Sequence, residues 1–422
     1  MALKKTAGVV VAGAGAAGMM AAITAARAGA HVTLIEPNEK VGRKLYITGK
    51  GRCNVTNDCA QQDLMGAMTC NGKFLYSAFR RFTPRDTMDF FTALGVPLKV
   101  ERGSRVFPCS DKAADIVDAL FFELRRQGVA LVQDRLTALC IGGGGVYGVE
   151  TEQSGRMGAD CVVLCTGGAS YPRTGSTGDG YRLARSAGHT VTALRGSLVP
   201  LTSDHPDCAR LQGLSLRNVG LTMKNGRGKS VYREQGELLF THFGLSGPLI
   251  LSASAHMDVS RESYTAHIDL KPALDEAALD ARLLRELQQR ANQTYGSVLG
   301  TLVPRSMVPV MVRRTGIPSD TKAHDIRREQ RRALLEALKD FAVPVLGTRP
   351  VEEAVVTSGG VAVSEVNPNT MESRLVPGLY FAGELLDVDA YTGGYNLQIA
   401  WSTGHAAGEA AAARQQERSV EP

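Results

Sequence analysis

Val9-Val10-Val11-Ala12-Gly13-Ala14-Gly15-Ala16-Ala17-Gly18 is the stretch on which the fold turns. Its first four residues are a short apolar run, read as a buried strand. The glycines then form a tight turn that feeds an alanine-rich helix reaching about Arg27. Gly13 makes the turn, Gly15 lets backbone approach a pyrophosphate, and Gly18 lets helix and strand pack closely. The helix N-terminus offers unpaired N–H groups and a positive dipole end to the phosphates. A second strand, His31-Val32-Thr33-Leu34-Ile35, ends at Glu36. A carboxylate there accepts from a ribose 2′-OH and repels a 2′-phosphate. The expected ligand is FAD or NAD, not NADP. A glycine turn before an alanine-rich helix can also be plain packing. The strand before, the helix after and the terminal carboxylate select the dinucleotide reading.

The chain has 422 residues, a length suited to two or three domains. With 44% apolar and 21% charged residues its composition is ordinary for a globular protein. The eight cysteines are scattered. Cys161 and Cys165, four apart on one apparent strand, are neither a CxxC redox pair nor half of a zinc site. Reduced thiols in a cytoplasmic protein, and no metal, are expected. No apolar run is long enough to span a membrane, so no membrane partner is expected. Lys4-Lys5 before the first apolar run faintly mimics a signal peptide, but glycine follows at once. A net charge of +6 is mild and says little about partners. Residues after about Glu409 are expected to fray from the last helix.

Further along, residues 37–60 read as a loop rich in glycine and basic residues. Helical patterns cover 73–94 and 111–127. Short strands at 129–132, 135–140 and 146–150 form a hairpin or meander turning on the glycines 142–145. Asp160 through Cys165 is another apolar strand, running into Thr166-Gly167-Gly168. From about Arg195 to Val345 the character changes. Strands at 219–224, 229–235 and 263–270 suggest a small β-barrel or sandwich, and helices at 275–292 and 322–341 an inserted helical piece. Then α/β character returns with the strand 378–384 and with Thr392-Gly393-Gly394-Tyr395-Asn396 leading into a helix near Leu397. The expected architecture is α/β, with a nucleotide domain (1–195 and 343–422) split by an insert (196–342, helical from about 273).

Four further glycine turns, at 49–54, 167–168, 383–384 and 393–396, stand at strand or helix ends. Ligands of open α/β sheets sit beyond the carboxyl ends of the strands. Several such turns suit a long ligand with a second polar ring system, which favours FAD over NAD. Glu384, just after Gly383, can accept from ribityl hydroxyls; the alternative is a solvent-facing acid. Backbone N–H groups at 394–397 can face the pyrimidine edge of the flavin, and a helix N-terminus there would stabilise its reduced anion.

These motifs resemble the bacterial NAD(P)/FAD-dependent oxidoreductase family that includes BaiN, YhiN and the aminoacetone oxidases. The matching segments include Gly13–Gly18, the run from Gly42 to Asn57 containing Gly51-Arg52-Cys53-Asn54-Val55-Thr56-Asn57, Tyr171 to Gly180, Thr241 to Pro248, and Gly383 through Gln398. One departure is Arg195-Gly196-Ser197, where Pro-Ala is more usual. The resemblance implies a two-dinucleotide-type, Rossmann-like FAD domain with an inserted β-barrel and helical subdomain, and bound FAD. It places Gly13, Gly15, Ala16, Ala17 and Gly18 along the pyrophosphate and Glu36 on the adenosine ribose. Lys44 and residues 51–54 lie along the cofactor. Leu136 meets the adenine, Thr166 and Gly167 flank it, Glu384 meets the ribityl chain, and Asn396 and Leu397 meet the ring. The roles of Lys44 and Leu136 rest on the resemblance alone.

Other residues carry two readings each. Arg52 is a cofactor-site cation or the partner of an acid. Cys53 beside it is a low-pKa thiol or a small core residue. His242 is a proton donor over the flavin or a structural histidine. Tyr391 or Tyr395 shapes the substrate face or simply flanks the glycine pair, and Trp401 is core. Arg327-Arg328 and Arg331-Arg332 share one helix face. Interleaved Glu329 and Glu336 favour a solvated face over a nucleic-acid patch. The expected activity is hydride transfer through flavin N5 to or from a small organic substrate. No second nucleotide fingerprint is present, so an NADH or NADPH reductant would dock transiently. A flavin amine oxidase using O2 and a flavin-containing RNA-modification or RNA-binding protein are the alternatives.

Overall fold

In the computed structural model, which describes residues 8–420, the chain divides into two compact units. One is built from the chain up to Ser197 and again from Val351; the other is Leu198–Pro350. Lys4-Lys5 lie outside the described residues.

The first unit holds a five-stranded, all-parallel sheet. Its spatial order is Leu379–Phe381, Cys161–Leu164, Val9–Ala12, Val32–Glu36, Ala130–Gln133. Residues near the end of the chain thus pair in the same sheet as the opening strand. Val9–Ala12 and Cys161–Leu164 are apolar and buried throughout, as strands covered on both faces must be. The helix Ala16–Arg27 packs on the final helix, Tyr395–Val420. Gly404 and Gly408 make that contact possible, because a Cβ on either would come 2.4 Å from the carbonyl oxygen of Ala17 or Ala21. The final helix does not fray after Glu409. Ala411, Ala412 and Gln415 are buried, and Gln416 Nε2 donates to Ala28 O at 2.7 Å. The stretch 37–60 is not all loop, since it contains the helix Arg43–Ile47 and a 3-10 turn, Thr48–Gly51. The 73–94 pattern resolves into Tyr76–Arg81 and Pro84–Ala93, the second opened by a Thr83–Asp86 capping box.

The second unit is a seven-stranded antiparallel sheet. Its two edge strands, Phe341–Val345 and Gly347–Thr348, are separated in the chain only by Leu346. The edges therefore meet, and the sheet is a barrel rather than a sandwich. Because Phe341–Val345 pairs with Tyr264–Asp269, the chain returns to the first unit at Val351 and not at 343. Helices Glu276–Gln289, Tyr295–Leu302, Val308–Thr315 and Arg328–Lys339 share one apolar core with this sheet. Arg331 and Arg332 are paired with Asp280 at 2.7 Å and Glu336 at 2.9 Å.

Candidate functional site

Beyond the carboxyl ends of the parallel strands, the first unit opens a cleft of about 210 Å³. The run from Ala12 to Ala17 forms one wall. Gly18 stands behind it, where a Cβ would fall 1.8 Å from the Gly13 carbonyl oxygen, so helix and strand could not meet with any larger residue. Gly15 is different. Its φ of −83° is open to any residue, and a Cβ there would meet nothing within 4 Å. Protein packing gives no reason for glycine at 15, whereas a ligand pressed against the backbone does. Ala16 and Ala17 line the cleft beside it, and first-turn amides have no intrahelical acceptor.

Glu36 is buried at the end of its strand. One oxygen accepts from Ala14 N–H at 2.7 Å; the other accepts from the Asn38 N–H at 3.0 Å and side chain at 2.5 Å. The carboxylate is fixed in the cleft wall with acceptor capacity left for a hydroxyl. Leu136 lines the same end. The turn before it is held by Asp134, which accepts from Ser154 N at 2.8 Å and Gln153 N at 3.0 Å. Burial pushes the Asp134 carboxyl up, but these backbone amides outweigh it and hold the group well below the usual carboxylate range.

Mid-cleft, Lys44 Nζ reaches Glu384 Oε2 at 2.6 Å and Ser170 Oγ at 2.7 Å. Glu384 Oε1 accepts from Thr357 N at 2.8 Å and Ser170 Oγ at 3.1 Å. Glu384 is therefore no solvent-facing acid but the centre of a fixed polar array. Thr166, Gly167 and Gly383 line the cleft as well. The Thr166 hydroxyl is buried with no hydrogen-bond partner among the described residues.

At the far end Asn396 and Leu397 line the cleft. The Asn396 side chain brackets Ala390, accepting from its N–H at 3.0 Å and donating to its carbonyl at 2.8 Å. Gly394 does not line the cleft. A Cβ on it would fall 2.4 Å from Thr56 O, and its φ is +98°. The protein's own backbone accounts for that glycine. Behind it Gln398 is fully buried. It accepts from Thr56 Oγ1 at 2.6 Å and Thr87 Oγ1 at 2.9 Å, and donates to Phe82 O at 3.1 Å.

The turn 51–54 is not brought to the cleft wall; Thr48 of the same loop is. Arg52 pairs with Glu101 and Asp111, each at 2.5 Å, and lies 4.1 Å from the Phe107 ring centroid. Gly51 is exposed and Asn54 partly so. Cys53 is fully buried, and burial pushes its thiol up to about 12, which removes the low-pKa reading. Tyr391 is half-buried, and its N–H donates to Ala67 O at 3.0 Å. His242 is exposed in the second unit, its ring edge-on to Phe243. Sequence reasoning missed Asn38, Asp134, Ser170 and Thr357. The last three are single polar residues with no spacing signature, while Asn38 follows Glu36 closely enough to have been noticed.

A discontinuous Rossmann-type unit with a ligand cradle at its first glycine turn, interrupted by a barrel, defines the class: this chain is an FAD-dependent oxidoreductase. Residues 7–410 match the HI0933-like protein Rossmann domain, and the chain belongs to that family. It is 34% identical to the 3-dehydro-bile acid delta(4,6)-reductase of Clostridium scindens, over 95% of this chain and 98% of that one. It is 35% identical to the ribosomal RNA dihydrouridine synthase of Escherichia coli, over 94% and 96%. Among solved structures it shares its fold with the 3-ketosteroid delta1-dehydrogenase of Sterolibacterium denitrificans, with a TM-score of 0.53 at 14% identity, over 97% of this chain and 100% of that one. A flavocytochrome c3 fumarate reductase gives a TM-score of 0.50 at 18% identity, over 98% and 79%. No helix among the described residues is long and apolar enough to cross a membrane.

Proposed function

We propose that this protein uses FAD to reduce a carbon–carbon double bond conjugated to a carbonyl in a small organic substrate, with NADH or NADPH as the transient reductant. The observation that carries the FAD part is Gly15, a glycine that nothing in the protein requires, in a cleft that Glu36, Lys44 and Glu384 also line. Gly13, Gly15, Ala16 and Ala17 would hold the pyrophosphate and Glu36 the adenosine ribose. Leu136 would meet the adenine, Lys44 and Glu384 the ribityl chain, and Asn396 and Leu397 the ring. When bound and reduced by NADH or NADPH, FAD would supply a hydride from flavin N5. The protein's part is to bind, orient and hold charge. The Lys44–Glu384 pair fixes acceptors mid-cleft, and Asn396 braces the segment from which Tyr391 projects. Tyr391, in the same unit as the cleft, is the candidate to hold the proton that accompanies the hydride.

The reaction class draws on the relatives. The named activities of the Clostridium scindens and Escherichia coli proteins both add hydrogen across a double bond conjugated to a carbonyl, in a 3-oxo steroid and in uracil. A small substrate is favoured because Arg331 and Arg332 on the basic helix are already paired with acids. The RNA reading keeps one observation of its own: almost all of the net +6 charge lies in residues 198–350. The test is anaerobic. Purified yellow protein is reduced with NADH or NADPH, then mixed with a cyclic enone, the matching saturated ketone, a uridine-containing RNA, or O2. Fast flavin reoxidation by the enone and none by the ketone is expected. Reoxidation by O2 alone would replace the proposal with an oxidase, and salt-sensitive reoxidation by RNA alone would replace it with RNA modification.

A further inference from the structure

In the second unit the strand Ser215–Asn225 loses register against Ser230–Thr241 between Leu216 and Val219. Leu216 pairs with Leu238 and Val219 with Gly236, so Arg217 and Asn218 together oppose Glu237. This is a β-bulge, a device that re-aims side chains. Both bulged residues are exposed. Behind them lies a half-open pocket of about 160 Å³. Its apolar wall is Leu216, Val219, Leu270, Leu302, Val303 and Met307, all buried.

Arg217 and Lys271 both line this cavity, and neither has a carboxylate partner among the described residues. The nearby acids are engaged elsewhere. Asp269 accepts from Lys339 Nζ at 2.5 Å and from the Lys271 backbone N–H at 2.8 Å. Glu237 accepts from Ser215 Oγ at 2.9 Å, and Asn218 Oδ1 accepts from Gln235 Nε2 at 2.7 Å. Lys271 is half-buried; burial first, and Arg282 second, push its ammonium below the usual lysine range. A half-buried cation without a counter-charge costs stability unless an anion joins it.

We propose that this cavity is a binding site for a small carboxylate with an apolar body the size of one aromatic ring. Size sets the body: an apolar cavity of roughly 150 Å³ takes up one benzene. Charge sets the head, since the Arg217 fork suits a carboxylate and Lys271 adds a point charge. Bare phosphate would leave the apolar wall unfilled, and a neutral ring would leave both cations unpaired. The site belongs wholly to the second unit and needs none of the cleft residues.

The experiment titrates 4-fluorobenzoate into the FAD-loaded protein, followed by fluorine NMR and calorimetry. Saturable one-to-one binding is expected, with an unchanged flavin spectrum. Arg217→Ala, on an exposed residue, and Lys271→Met should each weaken it at least tenfold, and Val303→Phe should block it by filling the cavity. The neutral 4-fluorobenzyl alcohol should bind at least tenfold more weakly. The proposal is overturned by absent or unsaturable binding, by affinity that survives both charge substitutions, or by inorganic phosphate competing as well as benzoate does.

Discussion

Gly15 and Gly394 each stand just ahead of a helix whose first turn lines the cleft, and in the sequence they invite the same explanation. Their surroundings separate them. A side chain on Gly15 would point into open space in an ordinary backbone conformation. One on Gly394 would strike the Thr56 backbone from a left-handed φ. No protein atom requires the first glycine, whereas the Thr56 backbone requires the second. A glycine's purpose is read from what its missing Cβ would meet, and motif spacing alone does not supply that.

The largest effect expected from this contrast is at Gly15. Gly15→Val should abolish FAD retention while circular dichroism and the melting temperature of the apoprotein stay at wild-type values. A variant that purifies with stoichiometric FAD would mean that no pyrophosphate lies against Gly15. Gly394→Val should do the reverse. It should lower the stability of the apoprotein by roughly 2–4 kcal/mol in urea unfolding, through backbone strain and a forced shift at Thr56. An apoprotein as stable as wild type would return Gly394 to a ligand-facing role.

The far end of the Ala16–Arg27 helix sharpens the contrast by pH. Arg27 Nη2 meets Glu123 Oε1 at 2.7 Å, and Arg126 Nε meets Oε2 at 2.6 Å. Burial raises the Glu123 carboxyl, but Arg126, Gln127 and Arg27 outweigh it and hold it at about 2, below its ordinary 4.5. The folded value is the depressed one. The stabilisation is therefore complete above about 4.5 and is lost as pH falls from there through about 2. Glu123→Gln should remove up to about 3 kcal/mol at neutral pH and flatten the stability profile across that window, with FAD retention untouched. Weakened FAD binding in that variant would mean the two ends of the helix are not independent. Smallest of all is the mid-cleft array: Glu384→Gln should weaken FAD binding about tenfold, or about 1.4 kcal/mol, by leaving Lys44 without its counter-charge. Unchanged affinity by fluorescence titration would make the pair purely structural.

Where sequence and physics act over short range, the fold was legible. The strand Val9–Ala12, its turn, its helix and Glu36 follow from local pattern, and the returning strand at 379–381 follows from an apolar run ending in glycine. What hid was settled by distant partners. The barrel takes Phe341–Val345 because Tyr264–Asp269 offers it an edge, and nothing within 341–345 announces that pairing. The last helix stays ordered past Glu409 because Gly404 and Gly408 let it seat against the first helix. At the cleft, the glycines and acids could be seen, but not Ser170 and Thr357, which only the folded chain brings to Glu384. Arg52 carries two readings in the sequence because its partners, Glu101 and Asp111, are some fifty residues away or more.

On the reading proposed above, the cleft of the first unit holds FAD along its whole length, adenosine end included. The most direct test is to strip the flavin and measure rebinding of FAD, FMN and NAD to the same apoprotein by flavin fluorescence and calorimetry. Tight, one-to-one binding of FAD is expected, with FMN at least a hundredfold weaker because it leaves Gly15 and Glu36 without a pyrophosphate and a ribose, and NAD no better than FMN. FMN binding as tightly as FAD, or NAD displacing FAD, would contradict it.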